Sequence, residues 1–300
     1  MVEYISDLRL FLTISRTLNF REAGDRLGYS PAVVTTRMQR LESMTGKTLF
    51  IRSTRHIKLT EEGHQMVRYV EQLLDLSELI SRSDTDPDDT SNLKGLVRVT
   101  APHSFARIFL LKPVQLLMET HPELTIELIL EDKLSKIVEE EIDICFRVGG
   151  DLEPHIDSID LFADKRILVA SPSYIEKNGA PQTIGQLNQH QCLGYPHAKF
   201  LTLFDKQQKP TRVPLAAVLT CNTGDFLRQL TVEGTGITTK SSWSICDELS
   251  SGQLVRVLPD YTVDSQRMVR ALLPKRDYTP TRVTHVLNTI KAYIDQQGID

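Results

Sequence analysis

Residues Asn19–Glu42 read NFREAGDRLGYSPAVVTTRMQRLE, and this stretch decides the fold at the N-terminal end of the chain. Asn19 can cap a helix, with Glu22 three positions later completing a reciprocal cap. Ala23 and Leu27 face inward, Gly24 permits a close backbone approach, and Gly28 suits the residue that turns the chain after a helix end. Ser30 caps the next helix, whose first turn accepts Pro31 because that position needs no amide donor. Val34, Met38 and Leu41 recur at i, i+4 and i+7 and give this second helix one buried face. The opposite face presents Ala32, Thr35, Thr36 and Gln39, flanked by Arg37 and Arg40. Such a surface suits a major groove: threonine and glutamine bond base edges, the Ala32 methyl meets a thymine methyl, and arginine addresses phosphate or guanine. A purely structural three-helix core stays open on these residues alone.

The flanks extend the pattern. A preceding helix starting near Ser6 or Asp7 carries the stripe Leu8, Phe11, Leu12, Ser15 and Leu18. From Arg37 to Lys58 there are six Lys or Arg and one acid, Glu42. Gly46 ends the helical pattern, and Leu49-Phe50-Ile51 and Ile57-Lys58-Leu59 read as a hairpin tipped by Arg52, Ser53, Thr54, Arg55 and His56. A basic hairpin beside a recognition helix is a wing, with Arg52 and Arg55 placed to meet phosphates, and His56 either adding a phosphate bond or standing as a solvated turn residue. The candidate DNA-binding module spans 1–60. Thr60 then caps a helix over 61–81, whose stripe of Met66/Val67, Val70, Leu73/Leu74, Ser77 and Ile80 fits either a second copy or the chain's own head. Twofold pairing doubles the sequence a duplex reader can use, which favours a linker and dimerisation helix. Asp84, Asp86, Pro87, Asp88 and Asp89 mark a hinge over 82–92.

Charge divides along the same boundary. The chain of 300 residues carries a net charge of -4, yet residues 1–60 hold ten Lys or Arg against five Asp or Glu, so the remainder is acidic. A basic module joined to an acidic body points to a polyanion partner for the former. The length suggests two or three domains. Cys145, Cys192, Cys221 and Cys246 are too dispersed for zinc or dithiol chemistry and suit a reducing cytoplasm. Glu3, Asp7 and Arg9 interrupt any leader-like apolar run, and no membrane span is expected.

From 93 to 300, strand and helix patterns alternate. Strands are expected at Leu96–Thr100, Thr125–Leu130, Ile142–Arg147, Ile167–Ala170, Leu215–Thr220 and Met268–Leu273, and helices at Phe105–Met118, Lys133–Glu140, Phe226–Val232 and Arg282–Gln296. This alternation argues for α/β layers with largely parallel sheets, and two lobes would place a ligand cleft outside the strand ends. Polar groups cluster at those ends: Thr100, His103 and Ser104; Arg147, suited to a carboxylate; and Asn222 and Thr223. Capping and surface roles remain open for each one singly. The sequence lacks a phosphate loop, a nucleophile elbow and a histidine pair spaced for catalytic zinc, so an enzyme is a remote alternative and no cofactor or metal is expected.

Taken in order, these residues resemble the LysR-type transcriptional regulators. The head contributes Leu8, Phe11, Asn19-Phe20, Ala23, Leu27, Ser30–Thr35, Leu41-Glu42, Gly46, Leu49-Phe50, Arg52, Arg55 and Leu59–Gly63. The body contributes Leu93–Val99, His121-Pro122, Asp143–Gly149, Ala170–Tyr174 and Gly252–Tyr261. The resemblance implies an α/β protein with an N-terminal winged helix-turn-helix, a long linker helix and a two-lobed, periplasmic-binding-protein-like effector domain. Lobe I would be 95–164 and 265–300, and lobe II 165–264. It also implies homodimers assembling into homotetramers on double-stranded promoter DNA near a neighbouring metabolic gene. A small polar or anionic effector, RNA polymerase as a further partner, and a place on nucleoid DNA in the cytoplasm follow from the same likeness. The implied cleft draws on Thr100, His103, Ser104, Arg147, the loop at Tyr195–Lys199 with Lys199 itself, Asn222 and Thr223. One departure concerns the reading helix: many members place Gln, Ser and Arg where this chain has Pro31, Thr35 and Thr36. That shifts the expected base contacts toward Gln39 and Arg37. A DNA-binding or interaction protein with a ligand-independent body is the non-enzymatic alternative.

Overall fold

The computed structural model describes residues 2–52, 57–81, 93–132, 137, 142–150, 156–196, 198–275 and 279–298. It divides into two compact units, Met1–Asp89 and Thr90–Asp300.

The first unit comprises α1 (Val2–Thr17), α2 (Phe20–Leu27), α3 (Pro31–Thr45), β1 (Phe50–Arg52), β2 (Ile57–Leu59) and α4 (Glu61–Ser81). Helix α1 starts four residues before the expected Ser6, because no glycine or proline interrupts Val2–Ser6. Asn19 caps α2 by accepting from the amides of Arg21 and Glu22, but Glu22 does not close the reciprocal cap and pairs with Arg26 at 2.7 Å instead. The turn between α2 and α3 is tight because Gly24 lacks a side chain: a Cβ there would lie 2.7 Å from the Tyr29 carbonyl oxygen and 2.8 Å from Val34. Ser30 has the extended backbone of a cap, but its side chain makes no capping bond. Leu8, Phe11, Ile14, Ala23, Val34, Met38, Leu41, Leu49 and Phe50 bury one shared core. The Glu42 carboxylate accepts from the amides of Leu49 and Phe50 and so ties α3 to the wing strand.

Two faces of α4 serve different surfaces. Val70 and Leu74 are buried in the head core with Met66 and Val67 packed against it, whereas Tyr69, Leu73 and Leu76 are exposed. The apolar stripe assigned above to a second copy is therefore partly spent on the chain's own head. The hinge at 82–92 and the wing tip with Ser53, Thr54, Arg55 and His56 lie outside the described residues.

The second unit contains β3 (Gly95–Ala101), α5 (His103–Phe105) running through a π-helical segment (Ala106–Leu110) into α6 (Leu111–Thr120), β4 (Leu124–Leu130) and β5 (Ile144–Val148). Next come β6 (Ile156–Ala170), α7 (Pro172–Asn178), a 3-10 turn (Ile184–Gln189), β7 (Cys192–Gly194), β8 (Phe200–Phe204), β9 (Pro210–Pro214) and β10 (Ala217–Thr220). The unit closes with α8 (Gly224–Val232), β11 (Ile237–Ser241), a 3-10 turn (Ser242–Ile245), α9 (Cys246–Ser250), β12 (Val255–Val257), β13 (Thr262–Pro274) and α10 (Thr281–Gln296). The helix expected at Lys133–Glu140 lies outside the described residues apart from Ile137.

Strands run in the order β10-β7-β11-β6-β13-β5-β3-β4. Parallel pairs join β3 to β4 and β5, and β7 to β10 and β11, while β6 and β13 run antiparallel to their neighbours. Two long strands cross the whole unit. The first half of β6 pairs with β13 beside β5, and its second half pairs with β11 and β12. Each lobe has its own core on either side of this crossing. One gathers Val97, Val99, Phe105, Phe109, Ile144, Phe146 and the apolar face of α10; the other gathers Leu168, Tyr174, Leu201, Leu203, Ile237 and Val257. Strands β6 and β13 outrun the expected Ile167–Ala170 and Met268–Leu273 because their additional halves carry Asp157, Asp160, Asp164, Arg166 and Arg267, which mask the apolar signal.

The side chain of Asp7 is 1% exposed and is held by Arg37 Nη1 at 3.1 Å and Arg40 Nε at 2.9 Å, with Arg40 Nη2 as a further donor. A buried carboxylate persists only when its charge is answered. Asp7→Ala should destabilise the head by about 2 kcal/mol, the scale of hydrogen bonds to a charged group. A thermal melt of the full chain that leaves the head transition unmoved would contradict this.

Candidate functional site

The first candidate surface is the outer face of α3. Ser30, Pro31, Ala32, Thr36, Gln39 and Arg40 are exposed, as is Val33, which the sequence pattern alone did not single out. Thr35 is half-buried, and its hydroxyl donates to the Pro31 carbonyl at 3.0 Å, a local bond that aims it along the helix. Arg37 is also half-buried: besides Asp7, its guanidinium lies 4.5 Å from the centroid of the Tyr29 ring. The face is thus made of small and neutral polar groups, while both arginines are engaged with the first helix. Arg52 lies at the end of β1; Arg55 and His56 fall outside the described residues.

The second candidate is a cavity of about 440 Å³ between the lobes, beside the middle of the crossing strands β6 and β13. Four basic side chains line it (Arg147, Arg166, Lys240 and Arg267) against two carboxylates, Asp132 and Asp164. Arg147 leaves β5 buried, its Nη1 donating to the Glu131 and Phe146 carbonyls at 3.1 and 3.3 Å. Arg166 on β6 donates to Asp264 at 2.9 Å and to the Thr239 hydroxyl at 2.7 Å. Arg267, at the register break of β13, donates to the Val148 carbonyl at 2.8 Å, and its Nε lies 3.6 Å from Asp164. The other Asp164 oxygen accepts from the indole of Trp243 at 2.9 Å. Trp243 packs edge-on and tilted against Phe105, Phe109 and Phe162 and so walls the cavity with the first lobe's aromatic cluster.

Lys240, the penultimate residue of β11, is 6% exposed and donates to the Gly224 carbonyl. Burial pushes its ammonium down to about 8, against the pull of Asp132, so the charge survives at neutral pH but not far above it. Burial and the Asp132 charge raise the Tyr195 phenol, which stays protonated and able to donate.

Of the effector residues expected from sequence, the cavity gathers Ser104 and Arg147. Thr100 is buried at the strand end behind them. His103 stands outside the lining, its Nδ1 4.0 Å from Asp132. Lys199 and Asn222 are exposed and also outside the lining, and the Thr223 amide donates to the Cys221 sulfur while its side chain makes no cap. The sequence did not single out Asp132, Asp164, Arg166, Thr239, Lys240, Trp243 or Arg267. A signal was present for some: Lys240 is the one charge in the strand after Gly236, and Asp164 and Arg166, two apart, share one face of β6. Among the described residues, no group of three or more metal-ligating side chains is placed to hold an ion, and no helix is long and apolar enough to cross a membrane.

Residues 5–64 match the bacterial regulatory helix-turn-helix protein, lysR family, and residues 90–295 match the LysR substrate binding domain. The chain belongs to the LysR family of transcriptional regulators. Among its relatives, the HTH-type transcriptional regulator DmlR of Escherichia coli K12 is 30% identical over 261 residues, 86% of this chain and 84% of that one. The HTH-type transcriptional activator TtdR of the same strain is 31% identical over 263 residues, covering 85% and 83%. The full-length structure of the Vibrio cholerae virulence activator AphB, a LysR-type regulator, superposes with a TM-score of 0.60 at 26% identity, covering 96% of this chain and 98% of that one. As a member of this family the chain is a DNA-binding regulator with an effector-binding domain, and not an enzyme.

Raising the pH from 7 to 9 removes the Lys240 proton. Affinity of the cavity for sulfate, followed by fluorescence of Trp243, should then fall about tenfold, as a group one unit above its pKa is roughly 90% deprotonated. In Lys240→Met the affinity should be low and flat over this range. An unchanged pH profile in that variant would remove Lys240 from anion binding.

Proposed function

We propose that this regulator controls a neighbouring metabolic gene or operon in response to a small carboxylate-bearing effector held between the lobes. The observation that supports the reading most strongly is the cavity lining, four cations against two acids, in a space of small-molecule size. The effector residues in this reading are Ser104, Arg147, Arg166, Tyr195, Lys240 and Arg267. A guanidinium fork matches a carboxylate in both geometry and charge, which favours carboxylates over neutral polar ligands.

On the DNA side, Ala32, Val33, Thr36 and Gln39 would read base edges in the major groove, and the wing with Arg52, Arg55 and His56 would meet phosphates. Arg37 and Arg40 act mainly by locking α3 onto α1 through Asp7. Residues 1–60 form the DNA-binding module, 61–81 the linker helix, 82–92 the hinge, and 93–300 the effector domain, with lobes 95–164 plus 265–300 and 165–264. The strand exchange near Asp164 on β6 and between Val263 and Arg267 on β13 supports that lobe boundary.

A homodimer is part of the reading. Leu111, Leu116 and Met118 on α6 and Leu128 on edge strand β4 are exposed, as are Val218 on edge strand β10 and Phe226 on α8. A twofold axis would lay each patch on the other's counterpart and close the assembly without a leftover face. The exposed Tyr69, Leu73 and Leu76 of α4 offer a second pairing surface, consistent with a tetramer. Promoter DNA, with RNA polymerase as a further partner, places the protein on the nucleoid.

Two experiments test this. Footprinting with Gln39→Ala and Thr36→Ala should relax operator preference, each lost base contact costing about 1–3 kcal/mol of discrimination; unchanged preference in both variants sinks the reading-face assignment. Arg147→Ala should lose the response of the footprint to small carboxylates while holding DNA affinity within about twofold. An undiminished ligand response would reject anion contact by Arg147.

A further inference from the structure

Helix α8 begins at Gly224 without a local cap: Thr223 is in the cap position, yet its side chain makes no capping bond. The capping acceptor comes from 92 residues away. Asp132, just past β4 on the first lobe, accepts the Gly224 amide through Oδ2. The same point is approached by two other groups. A Cβ on Gly224 would overlap the Tyr195 hydroxyl and would lie 3.2 Å from Asp132 Oδ2 and 3.3 Å from Lys240 Nζ. His103 stands 4.0 Å from the second Asp132 oxygen. A free helix amide, a buried ammonium, a phenol and an imidazole around one carboxylate are what a protein offers to a bound anion. Here the anion is the protein's own side chain.

Resting on the effector-cavity assignment above, we propose that Asp132 is a built-in counter-ligand, so that an external carboxylate or sulfate binds by displacing it from the Gly224 amide and taking its place near Lys240. The displacement has a structural consequence. The Asp132–Gly224 bond ties the first lobe to the second, as does Arg107, which donates to the Ser244 carbonyl at 2.8 Å. Two carboxylates cannot share one amide, because like charges at that separation repel in a partly dry cavity. Effector binding therefore removes a lobe-to-lobe contact in the same event, which couples occupancy to lobe arrangement. Asp132 also sets specificity: an effector must outcompete a tethered carboxylate, so weakly charged ligands fail.

The test uses full-length protein at pH 6.5, where Lys240 keeps its proton, and constant ionic strength. Succinate and sulfate are titrated against the fluorescence of Trp243, the single tryptophan of the chain. Asp132→Asn keeps an acceptor for the Gly224 amide and loses only the charge, so it should lower the half-saturating concentration of both anions about tenfold. Asp132→Ala should lower it at least as far. A wild-type midpoint in Asp132→Asn, with a gain or loss only in Asp132→Ala, would reduce Asp132 to a helix cap and overturn the proposal. If Arg147→Ala abolishes a response that Asp132→Asn leaves unchanged, the cavity assignment stands and the counter-ligand falls. If neither anion gives a saturable response in any of these proteins, the position is closed to outside anions and the proposal fails with it.

Discussion

The antiparallel pairing of β6 with β13 is the constraint on which the effector unit depends. Each strand is too long for one lobe, so each must contribute to both cores and cross the space between them. At the crossing there is no core to enter, and apolar side chains would gain little. The positions there are Asp164, Arg166 and Arg267, polar groups that answer one another and edge a cavity. The break in register between Val263 and Arg267 lies at this point, where the β13 chain passes from one lobe to the other. Fold and site thus have one origin: a sheet shared by two lobes leaves a polar seam, and a polar seam of this size admits a small ligand.

The head solves a similar problem at smaller scale. Burying Asp7 commits Arg37 and Arg40 to the first helix, which fixes the angle at which α3 is presented and removes much of their charge from its outer face. What remains outside is short and neutral. On the proposed reading, affinity for phosphate comes chiefly from other basic residues of the head, and base discrimination from a few side chains such as Thr36 and Gln39.

The helix-turn-helix was legible because it is local. Asn19, Gly28, Pro31 and Gly46 punctuate it, and the 3.6-residue recurrence of Val34, Met38 and Leu41 points its core face. The engagement of Arg37 and Arg40 was not legible, since their partner lies thirty or more residues upstream and an arginine on a helix flank reads the same whether it meets phosphate or carboxylate. The effector unit divides in the same way. Arg147 and Ser104 lie at strand ends that hydrophobic runs betray. Asp132, Arg166, Lys240 and Arg267 are brought together only by the crossing of β6 and β13, which no local pattern encodes. Strands of three to five residues such as β7, β8, β9 and β12 were missed because they are too short for periodicity to register. The stripe on α4 was visible, but periodicity could not decide between self and second copy, and the structure shows it divided between the head core and solvent.

The most direct measurement is the salt dependence of footprinting by the full-length protein on DNA flanking its coding sequence. The expected result is protection of two half-sites about one helical turn or a multiple apart, with affinity falling steeply and log-linearly as salt rises. Absence of any protected site across low and moderate salt would contradict the assignment of α3 and the wing as a DNA-reading surface.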